Sequence, residues 1–74
     1  MGDIRYEVGF RIRCLREERG WSQEELGGRA GLHRAYIGQV ERGEKNLGIQ
    51  NLDKIAQALG VDVGNLVDNG GLCD

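Results

Sequence analysis

The sequence predicts an all-α fold, a compact five-helix domain, and three observations carry that reading. Apolar residues recur at steps of three and four, as in Ile4, Val8, Ile12 and Leu15. Glycines at Gly20, Gly31, Gly43 and Gly60 cut the chain into helix-length pieces, and proline is absent. No segment alternates apolar with polar residues, so nothing reads as a strand.

The first helix is expected from Ile4 to Arg19, with the Ile4–Leu15 stripe facing the core and Gly20 ending it in the left-handed conformation. Ser22 reads as the N-cap of a second helix. Glu25 three residues later completes a capping box, and Trp21 and Leu26 form a hydrophobic staple across it. This helix ends at Ala30, with Gly31 as its C-cap, and Leu32 then points inward. The third helix covers Arg34 to Arg42, with His33 at the cap position, Ile37 and Val40 facing inward and Gly43 as the stop. After the polar loop 44–48 comes a fourth helix, Ile49 to Leu59, whose Leu52, Ile55, Ala56 and Leu59 share one face. A short fifth helix runs from Asp62 to Val67, capped by Asp62, and the tail 69–74 is expected to be mobile.

With 74 residues there is room for one domain around a single core, which excludes an enzyme with its own cofactor domain. The net charge of −2 argues weakly against nucleic acid, but the distribution says more. Residues 11–45 carry net +2 and residues 46–74 carry net −3, so the positive field is concentrated in the middle of the chain. Cys14 and Cys73 stand far apart without a C-x-x-C, and His33 is the only histidine, so no zinc spacing exists and both thiols are expected to be reduced. No metal, no cofactor and no membrane span is expected, and the cytoplasm is the default compartment. Neither a Ser/His or Cys/His pairing nor a G-x-x-x-x-G-K loop supports an enzyme.

The second and third helices flank a three-residue turn that begins with glycine, the sequence form of a helix-turn-helix. Leu26, Ala30, Leu32, Ile37 and Val40 join the pair, and Gly27 lets the third helix come close. Gly28 should face solvent. The polar face of the third helix then consists of Arg34, Ala35, Gly38, Gln39 and Arg42.

Four segments in register, R-x-x-R-G-W-S-Q-E-E-L, A-G-L, Y-I-x-x-V-E-R-G and L-x-K-I-A-x-A-L, resemble the Cro/C1-type helix-turn-helix family, also called the Xre family. The resemblance covers about residues 8–67. The segment H-R-x-Y-I-G-x-V-E-R-G-x-x-N is similar to that of the small controller proteins of restriction–modification operons. Alanine is usual where this chain has Gly27, and polar residues where it has Gly28, Phe10 and Cys14. The resemblance implies a transcriptional regulator that binds an inverted-repeat operator in double-stranded DNA as a homodimer, with no enzymatic activity. A phage-type repressor, or an antitoxin-like module with a protein partner as well as an operator, are the alternatives.

On that reading Arg34 bonds guanine bidentately, Gln39 reads adenine or a neighbouring edge, and Ala35 and Gly38 admit close approach or a thymine methyl. For Gly38 the competing reading is helix crowding. Ser22 and Gln23 anchor phosphate at a helix N-terminus. Arg42, Lys45 and Asn46 clamp the backbone beyond the third helix, with His33 and Tyr36 as further backbone candidates. His33 reads equally as a surface cap, and Tyr36 as half-buried packing. The resemblance implies that Arg16 and Glu41 form an internal ion pair. Val61, Val63, Leu66 and Val67 are the expected dimer interface, because one small core should not bury them and Leu72 all; for Leu66 the competing reading is a core position. The strip Tyr6–Phe10–Cys14, opposite the first helix's core stripe, is the competing packing surface.

Overall fold

A computed structural model describes residues 4–67; the tail expected over 69–74 lies outside the described residues. Five helices follow in order: α1 (Ile4–Glu18), α2 (Gln23–Ala30), α3 (Arg34–Glu41), α4 (Ile49–Leu59) and α5 (Val63–Val67). All five predicted helices are present, with ends within a residue of expectation. α2 and α3 form the tightest pair; α1 packs on α3, α4 on α2, and α5 closes the domain against α1 and α4.

Local chemistry explains the helix ends. Ser22 Oγ accepts the Glu25 N–H at 3.0 Å, the first half of the predicted box, while the Glu25 carboxylate pairs with Arg29. His33 caps α3 as expected, its Nδ1 accepting the Ala35 N–H at 3.0 Å, which requires that nitrogen to be unprotonated. At α5 the described cap bond runs the other way from expectation: the Asp62 N–H donates to Asn65 Oδ1 at 3.1 Å. Helices α1 to α4 each end on a glycine with φ between 71° and 75°. Beyond α3, Gly43 N–H donates to Val40 O and Glu44 N–H to Gln39 O, the paired bonds of a Schellman motif.

The core is assembled from every helix: Val8 and Ile12, Leu26 and Ala30, Ile37 and Val40, Ile55, Ala56 and Leu59, and Leu66. Each large side chain removed from water contributes about 1.5–3 kcal/mol before the chain entropy that opposes it. Two expectations about burial along α1 are corrected. Ile4 is 61% exposed, on the open wall of a groove it shares with Leu47, Leu52 and Val67, whereas Val8 and Ile12 further along the stripe are buried. Cys14 is buried and disulfide-bonded, rather than a reduced thiol on an outer strip. Cys14 is buried because α1 is covered on more than one side, α3 and α5 both packing against it. Cys73 lies outside the described residues. Tyr6 and Phe10 do stay exposed, although the Tyr6 ring leans over Gly43, where a Cβ would sit 2.5 Å from Tyr6 Cδ1.

Leu66 corrects the expected dimer interface. It is 1% exposed and belongs to the core, with Val61 and Val63 half-buried against it. The core had room because α5 lies in the angle between α1 and α4 and lays Leu66 inward. Of the four residues only Val67 is largely open.

The adjacent glycines of α2 have opposite surroundings. A Cβ at Gly28 meets nothing within 4 Å, whereas one at Gly27 would lie 2.5 Å from Leu32 O and 3.3 Å from Arg34 N. The alanine usual at this position in the resembled family does not fit here without a shift: the colliding atoms are backbone, and they belong to the turn that aims α3. Gly28→Ala is expected to raise stability by about 0.5–1 kcal/mol through helix propensity and unfolded-state entropy. Gly27→Ala is expected to lower it by about 1–3 kcal/mol by overpacking. Urea denaturation midpoints of the two variants should move in opposite directions; a shared direction contradicts this account.

Candidate nucleic-acid interface

The exposed side of α3 begins at its N-terminus. Arg34 and Ala35 are open to solvent and Gln39 is half-buried one turn further on. Gly38, between them, is buried beneath two side chains: an ideal Cβ there would stand 3.1 Å from Arg42 Nη1 and 3.3 Å from Gln23 Oε1. Gly38 thus lets Arg42 and Gln23 lie close along α3, which is the crowding reading. Lys45 and Asn46 are exposed in the loop after α3, and Ser22 is exposed at the start of α2 with its hydroxyl engaged in the cap.

Behind this face a buried polar network sets the position of α3. The Glu41 carboxylate, with 3% of its side chain exposed, accepts Arg16 Nε at 2.7 Å, Arg16 Nη2 at 3.0 Å and Gln23 Nε2 at 3.1 Å. Arg16 Nη1 donates to Trp21 O at 2.7 Å, so one guanidinium joins α1, the α1–α2 turn and the end of α3. The hydrogen bonds from Arg16 to Glu41, reinforced by the charge of Glu41, hold the guanidinium pKa above its usual value despite partial burial. The ion pair implied by the resemblance is therefore present and internal. Gln23, expected as a phosphate anchor, is tied inward to the same carboxylate; its position at the first turn of α2 could not reveal a partner 18 residues away. Tyr36 is half-buried, and its hydroxyl accepts from Asn51 Nδ2 at 3.1 Å, which couples α3 to α4.

Arg42 is exposed but engaged. Its Nε donates to Glu44 Oε2 at 2.9 Å and its Nη2 to Glu44 Oε1 at 3.2 Å. Two features on and behind this surface were not singled out from the sequence. Glu44 is one. Gly9 is another: it is buried where α1 crosses α3, and a Cβ there would run into Val40 O. The signal existed, since a glycine inside a helix forfeits about 1 kcal/mol relative to alanine and implies a compensating close approach. Trp21, read from the sequence as half of a hydrophobic staple, is also stacked beneath the Arg29 guanidinium with 4.2 Å to the ring centroid.

Among the described residues no group of three or more His, Cys, Asp or Glu side chains could hold a metal ion, and no helix is long and apolar enough to cross a membrane.

Comparison with known proteins agrees with this geometry. A family model described as helix-turn-helix matches residues 12–66. A hypothetical transcription factor of Neisseria meningitidis serogroup B is 44% identical over 59 residues, which is 80% of this chain and 56% of that protein, so this chain spans just over half of that relative. The crystal structure of the restriction-modification controller protein C.AhdI from Aeromonas hydrophila superposes with a TM-score of 0.82 at 42% identity, covering 84% of this chain and 94% of that one. SinR, a master regulator for biofilm formation, solved in complex with DNA, superposes with a TM-score of 0.78 at 39% identity, covering 82% of this chain and 98% of that one.

Proposed function

This chain belongs to the Cro/C1-type helix-turn-helix family of DNA-binding proteins, and from that premise we propose that it is a dimeric, sequence-specific transcriptional regulator of the restriction–modification controller type. The observation that carries the reading is α3 itself: a short helix braced from behind by a buried ion pair, with Arg34 free at its N-terminal end and Arg42, Lys45 and Asn46 beyond its C-terminal end. In such a frame the N-terminal residues of α3 meet base edges in the major groove, while the flanking cations and helix ends meet phosphate. The likeness to a controller protein over nearly its whole length favours that class over a phage-type repressor. No enzymatic step is assigned; binding to an operator is the activity.

Arg34 and Arg42 should separate in titrations. On a duplex bearing the operator, Arg34→Ala is expected to cost about 1–3 kcal/mol and to relax the preference at one base pair. Arg42→Ala is expected to weaken operator and random duplex alike and to flatten the logarithmic salt dependence by about one unit. Anisotropy titrations at several salt concentrations check both. Equal loss on the two duplexes for Arg34→Ala removes it from base reading.

Two half-sites about one helical turn (~34 Å) apart are what a two-fold pair of such domains requires. Support for self-association comes from the apolar surface left at the α1/α5 end. There a groove of about 190 Å³ opens between Ile4, Val8, Leu47, Leu52 and Val67, with Arg5, Lys45 and Asn46 also on its wall. With Leu66 inside the core, Val67 is the α5 residue to test, and Phe10 on α1 is the competing surface. Val67→Glu is expected to give a folded monomer in sedimentation equilibrium and Phe10→Glu a folded dimer. The reverse pattern moves the interface to the outer face of α1.

A further inference from the structure

The loop after α3 contains a charge that the proposed function does not use. Between residues 32 and 49 the only acidic side chains are Glu41, which is buried, and Glu44, which is exposed. Within that stretch Glu44 is thus the one exposed carboxylate, flanked in sequence by Arg42 and Lys45 on a surface that must approach phosphate. Local stability does not explain it, because an anion beside a helix C-terminus opposes the helix dipole.

Its backbone is fixed independently of its side chain. Gly43 adopts φ 75°, its N–H donating to Val40 O at 3.0 Å, and the Glu44 N–H donates to Gln39 O at 2.9 Å. This turn brings residue 44 back alongside residue 42, and the carboxylate takes Arg42 through both Nε and Nη2. A guanidinium edge accepts a carboxylate or a phosphate in the same two-bond geometry. Glu44 thus occupies the edge of Arg42 that a DNA phosphate would need, and leaves Nη1 against Gly38. The hydrogen bond from Arg42, with its charge, holds the Glu44 carboxyl below its usual pKa, so the competitor stays ionised.

Resting on the DNA-binding reading above, we propose that Glu44 is an intramolecular competitor for backbone phosphate at Arg42, lowering affinity for duplex DNA irrespective of sequence. The occupant of this guanidinium is Glu44 in the free protein and a phosphate in the complex. Because phosphate carries no sequence information, the exchange shifts operator and random DNA together and leaves their ratio alone.

A double-mutant cycle on the full chain tests this with a random-sequence duplex and a duplex carrying the operator. Wild type, Glu44→Gln, Arg42→Ala and the double variant are titrated across a salt series, with circular dichroism confirming that each is folded. Glu44→Gln is expected to tighten binding to both duplexes by roughly three- to fivefold at low salt, the scale set by an exposed ion pair, and to steepen the salt dependence by up to about one unit. In the Arg42→Ala background the same substitution is expected to change affinity less than twofold. An equal gain in that background makes Glu44 a general repulsive charge and overturns the proposal, as does no gain in the wild-type background. Failure of all four folded forms to bind any duplex at low salt overturns the DNA-binding reading, and this inference with it.

Discussion

Glu41→Gln is expected to lower unfolding stability by about 3–5 kcal/mol, the scale on which breaking a buried ion pair leaves the other charge uncompensated. The change keeps the shape of the side chain and removes only its charge. Arg16 cannot adapt by losing its proton, because guanidinium is charged at any working pH. With 11% of its side chain exposed, it cannot turn outward to water without also giving up the Trp21 carbonyl. A small domain has about 5–15 kcal/mol in all, so much of it would go with one substitution. Gln23 would lose its acceptor charge at the same time, and the start of α2 would loosen with the end of α3. Replacing both ends of the pair, as Arg16→Met with Glu41→Leu, should recover much of the loss, since apolar residues of similar volume need no partner. Urea denaturation of the three forms measures this; a loss below about 1 kcal/mol for Glu41→Gln means the carboxylate is wetter than its 3% exposure indicates.

Gly9→Ala is expected to destabilise by about 2–3 kcal/mol, the upper part of the range for overpacking. A new Cβ would enter Val40 O, and it would stand 2.8 Å from Glu41 O and 3.0 Å from Glu41 C. These atoms belong to the helix backbone of α3 and cannot rotate aside, so α1 and α3 must separate. Separation stretches the Arg16–Glu41 bonds two turns along α1, so the effect should not add with Glu41→Gln; a double variant should lose less than the sum. Alanine's higher helix propensity offsets about 1 kcal/mol and sets the sign test against Gly28→Ala, which receives the same propensity with open space around it. The thermal midpoint should fall for Gly9→Ala and rise for Gly28→Ala. A rise for both would show that α1 and α3 have room to part.

The sequence by itself determined the five helices and their ends, because those signals are local. A Ser22 cap, a His33 cap and the paired bonds after Gly43 join residues no more than five apart, so spacing alone reveals them. It also determined that α3 would carry an exposed arginine at its start and inward Ile37 and Val40, since one helix lying on one core leaves a single face free. Resemblance supplied the Arg16–Glu41 pair, which spacing does not. Tertiary structure alone decided the rest. Helical periodicity gives a stripe but not how many neighbours cover it, so Ile4 fell outside the cover and Cys14 inside it. It cannot say where a five-residue helix will dock, and Leu66 went into the core rather than to a partner. A glycine reads as flexible or merely absent bulk until a neighbour's backbone is found against it, which separates Gly9 and Gly27 from Gly28. The bond from the Gln23 side chain to Glu41 likewise joins residues 18 apart, which spacing does not show. Covalent neighbours settle helix formation, whereas burial, close approach and polar pairing depend on which distant surfaces share the one small core.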